Sequence, residues 1–145
     1  MRKLGLAAFA VLVSVAGHAA AKPVLYDCSP SSGADNSIVQ KQVLIVHDSE
    51  TGEAFVNDGV VMHVYGAPTK AKIASESADW VTFTWHIERL KMGSVSADLD
   101  YRIKLHKPDG KMTFSLYAPS FSNQIDDVGR CTAKSAKAGK KSSKK

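Results

Sequence analysis

The sequence predicts an all-β domain: a small antiparallel barrel or sandwich of eight or nine strands, in a mainly up-and-down meander closed by one disulfide. Three observations carry this. Apolar and polar residues alternate strictly in several runs, which is the period of a strand with one face in the core. Turn-forming clusters separate the runs at short, regular intervals. Two cysteines, Cys28 and Cys131, stand near the two ends of the patterned region.

Val24 to Cys28 opens the series, and Ile38 to His47 follows as a β-branched, apolar run turned by Asp48-Ser49-Glu50-Thr51-Gly52. Ala54 to Val56 is short. Asn57-Asp58-Gly59 then reads as a hairpin turn before a strand over Val60 to Tyr65. Ala67-Pro68 breaks the chain, and Lys70 to Glu76 is a less regular run. Val81, Phe83, Trp85 and Ile87 alternate with Thr82, Thr84, His86 and Glu88. Leu99, Tyr101, Ile103 and Leu105 alternate in the same way with Asp100, Arg102, Lys104 and His106. Lys107-Pro108-Asp109-Gly110 supplies Pro to preset φ and Gly to accept a positive one, so Met112, Phe114 and Leu116 should return as a hairpin. Pro119 to Gly129 has no pattern, and Val128 to Ala133 closes the series. No segment reads as an amphipathic helix.

Residues 1–21 read as a secretory signal. Arg2 and Lys3 precede an apolar run from Leu4 to Val15, and mostly small residues from Ala16 to Ala21 lead to a cleavage point after Ala21. The run is shorter than the roughly 20 apolar residues that cross a bilayer, and no later segment is apolar enough to do so. The expected location is periplasmic or secreted. There, two lone cysteines pair, so a Cys28–Cys131 bridge is expected.

The formal charge of +5 divides unevenly. Residues 22–133, the expected domain, hold 11 basic and 14 acidic side chains. From residue 134 onward the tail carries Lys134, Lys137, Lys140, Lys141, Lys144 and Lys145 and otherwise only Ala, Ser and Gly. Such a segment has no apolar face to bury and is expected to be disordered. Its ammonium groups favour anionic surfaces, in a salt-dependent way. The domain itself is mildly acidic, which argues against sequence-specific nucleic-acid binding.

No catalytic motif is present: no nucleophile elbow, no phosphate-cradling glycine loop and no zinc-protease helix. The four histidines of the domain lack metal-ligand spacing, and no cofactor is expected. Candidate contact residues are Trp80, on the polar side of its strand, and Phe121, Asn123, Asp126 and Asp127 in the unpatterned stretch. A hydrolytic site would need Asp126, Asp127 and His106 to converge.

The stretches Val46-His47-Asp48, Thr51-Gly52-Glu53-Ala54, Val56-Asn57-Asp58-Gly59, Phe83-Thr84-Trp85 and Leu99-Asp100-Tyr101-Arg102 resemble a group of small exported proteins from alphaproteobacteria. The Tyr26-Asp27-Cys28 start and Gly129-Arg130-Cys131 end fit that likeness, which implies export and no particular activity. More loosely, the chain resembles the periplasmic lysozyme inhibitors, antiparallel barrels with a Tyr-x-Cys start and a late cysteine. Their Ser-Gly inhibitory loop has no counterpart, since Ser32-Gly33 stands elsewhere. The expected function is a non-catalytic exported module that binds a protein or envelope component, with a basic tail for anionic surfaces. The alternatives are a small-ligand carrier with an apolar barrel cavity, and a hydrolase.

Overall fold

The computed structural model describes residues 21–35 and 37–136. The expected signal segment up to residue 20, and Lys137, Lys140, Lys141, Lys144 and Lys145 of the tail, lie outside the described residues. Eight antiparallel strands form a closed barrel in sequence order. They are β1 (Val24–Pro30), β2 (Val43–Asp48), β3 (Glu53–Asn57), β4 (Thr69–Glu76), β5 (Trp80–Met92), β6 (Val95–His106), β7 (Lys111–Ala118) and β8 (Asn123–Ser135). The meander places β1 beside β8, so neither strand is left as an edge. Cys28 sits directly opposite Cys131 in that pairing, and the two are bonded. As expected from the sequence, the last strand is joined covalently to the first.

The predicted alternation becomes the inside of the barrel. Phe83, Trp85, Tyr101, Ile103, Phe114 and Leu116 are all buried, and their polar neighbours point outward. The aromatic rings stack on one another across the strands. Trp85 lies parallel to Tyr101 at 5.1 Å between centroids, and Tyr101 meets Phe114 edge-on at 5.9 Å. Side chains therefore fill the interior, as in most small barrels. Burial pushes the Tyr101 hydroxyl well above the usual phenol range, with nearby Asp58 adding to the effect. That hydroxyl stays protonated and donates to the Ile38 carbonyl, tying the long β1–β2 connection over one end of the barrel.

Three sequence expectations change. Val60 to Tyr65 is not a strand but a helix, α1 (Gly59–Tyr65). Asp58 caps it by accepting from the Val61 N–H at 2.7 Å, and Gly66 ends it with a φ of 69°. Val60, Val61 and the half-buried Val64 form one apolar face on the barrel, so packing overrides the β-propensity of valine. Strand β2 begins only at Val43; Ile38–Gln42 belong to the connection, which buries Val39. Pro119 to Gly129 is mostly strand: a single 3-10 turn (Pro119–Phe121) leads straight into β8. Its half-buried positions are Ile125, Asp127 and Gly129, only one of them apolar and large, so it shows no apolar alternation. That strand also runs to Ser135, so Lys134 lies in the barrel, 3.7 Å from Asp27.

The bridge spans 103 residues of sequence, so its main effect is on the unfolded chain. Replacing both cysteines with serine should lower stability in urea unfolding by about 2–5 kcal/mol. An unchanged midpoint would show that strand pairing alone closes the barrel. At the cap, burial raises the Asp58 carboxyl pKa against the lowering effect of the Val61 and Val60 N–H groups. A carboxyl with a raised folded pKa loses stability as pH rises through the range above its ordinary value of about 3.9. Asp58→Asn, which keeps the cap without the charge, should gain on the wild type as pH rises from 4. Asp58→Ala, which loses the cap, should cost about 1 kcal/mol.

Candidate binding groove

The candidate residues from the sequence do not form one site. Trp80 opens β5 on the outer face and is 41 % exposed. Its ring packs against His106 at 4.5 Å, and Lys104 Nζ sits 4.7 Å above it. Phe121 lies in the 3-10 turn that follows β7, at the opposite end of the barrel from Trp80. Asn123, the first residue of β8, is exposed beside Ala118.

Asp126 and Asp127 are consecutive on one strand and so point to opposite faces. Asp126 faces out, and hydrogen bonds from Gln124 and Ser115 hold its carboxyl below the usual range. Asp127 accepts from the Ser32 N–H at 2.9 Å and from its hydroxyl at 2.8 Å, which fastens the β1–β2 connection. These bonds, led by the backbone one, also lower its pKa. His106 is bonded to Asp109 at the far turn. The three groups of the hydrolytic constellation are thus apart, each with its own partners. Among the described residues no group of three or more His, Cys, Asp or Glu side chains is placed to hold a metal. Asp48 Oδ1 accepts from the Glu50 and Thr51 N–H groups and closes its own turn.

A different set of residues does converge. The outer faces of β4 to β8, with α1 at the rim, enclose an open groove of about 700 Å3. Cross-strand register builds its floor in rows. Lys72 pairs with Thr84, Thr84 with Arg102, Arg102 with Ser115, and Ser115 with Asp126. The neighbouring row runs His86, Asp100, Tyr117 and Gln124. His86 Nδ1 and Asp100 Oδ1 are 2.6 Å apart.

The rim depends on a bulge in β5 between Ile87 and Leu90, where Arg89 adopts a φ of 51°. The bulge frees two backbone N–H groups from the ladder. Arg89 N donates to Asp98, and Glu88 N donates to the Tyr65 hydroxyl at 3.2 Å. The second bond fixes Tyr65 at the edge of the groove. Tyr65 and Tyr117 are 44 % and 43 % exposed, well beyond the other tyrosines of the barrel.

The charges of the groove are unevenly satisfied. Lys70 is paired with Glu53 at 2.9 Å, and Asp100 with His86. Lys72 and Arg102 have no ion-pair partner among the described residues. The arrangement offers two free cations, hydroxyl and amide groups, two carboxylates and two tyrosine faces. It is suited to holding a polar, negatively charged ligand. The sequence marks Arg102 only as one outward residue among several, and Lys72 not at all. Their shared row follows from strand register, which the alternation alone does not give.

In comparisons with known proteins, the chain matches no family model, no curated protein and no solved structure.

The turn beneath Trp80 yields a pH prediction. The Lys111 N–H, then the His106 side chain, hold the Asp109 carboxyl at about 2. A depressed carboxylate contributes stability that is present above its unfolded pKa of about 3.9 and is lost as pH falls toward the folded value. Asp109→Asn should therefore be less stable than wild type near neutrality, with the gap closing between pH 4 and 2. Urea unfolding across that range tests this; a gap that persists at pH 2 would assign it to something other than the charge.

Proposed function

We propose that the chain is an exported, non-catalytic binding module that engages an envelope component through the outer groove of β4 to β8. The lysine-rich tail adds affinity for anionic surfaces. One observation carries the reading: Lys72 and Arg102 stand without ion-pair partners, among the described residues, in the groove of a domain that is otherwise net acidic. Charges placed in this way are available to a ligand.

Two further facts support it. The interior is occupied by stacked aromatic side chains, which leaves the outer surface as the place for a partner. The disulfide suits an oxidising compartment, in line with the expected export and a periplasmic or secreted location. The separation of Asp126, Asp127 and His106 favours binding over hydrolysis.

The test is recovery of envelope components on three immobilised proteins: the chain from Lys22 to Lys145, its Lys72→Glu, Arg102→Glu variant, and a form ending at Ala136. The charge-reversed form should lose its main partner by at least about tenfold, the order expected for losing charge-assisted contacts. The shortened form should keep that partner and lose only salt-sensitive retention on anionic material. An unchanged profile for the charge-reversed form would overturn the groove reading. Turnover of an ester, glycan or phosphate substrate by the purified chain would overturn the non-catalytic one.

A further inference from the structure

We propose that the groove takes an acidic oligosaccharide, with its anionic groups on alternate sugars; this inference rests on the reading of the groove as the binding surface. The first support is spacing. Lys72 and Arg102 flank Thr84 in one cross-strand row, so their backbones are two strand spacings, about 10 Å, apart. One sugar ring does not span that separation, whereas two linked rings do. The Thr84 position lies between the cations, where a hydroxyl can bond to the linking sugar.

The second support is the mixture of charges. Asp100 and Glu88 line the same groove as the two free cations. A continuous row of phosphates would meet these carboxylates and be repelled. Sugar hydroxyls, in contrast, are donors that carboxylates accept, so an acidic saccharide uses both signs of charge at once.

The third is the pair of exposed tyrosines. Tyr65 has its hydroxyl engaged by the Glu88 N–H, so its ring is held in place and is the part left for a ligand. An aromatic face of this kind suits the C–H face of a pyranose, with apolar contact at the ring and hydrogen bonds around its edge. The groove is an open one, and so suited to a segment of chain.

The test is an NMR titration of the chain from Lys22 to Lys145 with three hexasaccharides. Hyaluronan hexasaccharide carries a carboxylate on alternate sugars, hexagalacturonate carries one on every sugar, and chitohexaose carries none. The first should shift the amides of Thr84, Arg102, Ser115 and Tyr117 and bind at least about tenfold tighter than chitohexaose, as expected for added charge-assisted bonds. Lys72→Gln and Arg102→Gln should each weaken it by about tenfold. The tail is intact in all forms, so a loss on these substitutions belongs to the groove. Equal or tighter binding of hexagalacturonate would overturn the alternate spacing. Shifts outside the groove, or affinity unchanged in both variants, would overturn the ligand class. If envelope capture still depended on Lys72 and Arg102 in that case, the groove reading would stand and only the saccharide would fall.

Discussion

The pairing of β1 with β8 is the constraint on which the rest of this structure depends. A meander of strands without it would end in two open edges, each with a row of unmet backbone donors and acceptors. Seven residue pairs join the two strands, and Cys28–Cys131 locks them in one register. The same closure fixes the interior volume. Once the circumference is set, the inward side chains must fill a space of given size, and Trp85, Tyr101 and Phe114 do so by stacking. The turns report back to the bridge as well. Gly110, at a φ of 73°, ends the β6–β7 turn, and its carbonyl accepts from the Cys131 N–H at 2.7 Å.

A filled barrel moves any functional surface to the outside. There the closed sheet imposes its own geometry, because every outward residue has neighbours fixed by register. The bulge at Ile87 to Leu90 is the place where this regularity is broken. It spends two ladder hydrogen bonds and recovers them through Asp98 and Tyr65. The outcome is a rim residue held by a bond to the backbone rather than by packing alone. α1 is needed for this, since it carries Tyr65. A strand over Val60 to Tyr65 would have left the groove without that wall.

What was legible in the sequence follows from where the apolar residues lie. Strands β5, β6 and β7 could be read because their inward positions are uniformly apolar and their outward ones polar. The bridge was legible because two cysteines flank the patterned region. β8 was only half visible, since two of its half-buried positions are Asp127, which is bonded to Ser32, and Gly129, where the Ser29 carbonyl approaches closely. The helix was hidden by its own valines, although Asp58 before it and Gly66 after it are capping residues. The groove was not legible at all. Lys72 and Arg102 are far apart in sequence, and their proximity depends on both being opposite Thr84.

The same pair separates stability from function. Their backbones stand about 10 Å apart, and unit charges at that separation in water repel by only about 0.4 kcal/mol. The fold tolerates them, yet it gains nothing from keeping them unpaired. Other cations are used locally: Lys70, in the same groove, meets Glu53, while elsewhere Lys107 meets Glu76, Lys41 meets Asp35, and Lys104 covers Trp80. The contrast does not come from a shortage of acids, because the domain has more carboxylates than cations and two of them line the groove itself. Neither Asp100 nor Glu88 is placed against Lys72 or Arg102; Asp100 is turned to His86 instead. Lys72 and Arg102 thus stand, among the described residues, as two cations of one cross-strand row that no carboxylate neutralises, an arrangement that folding does not require.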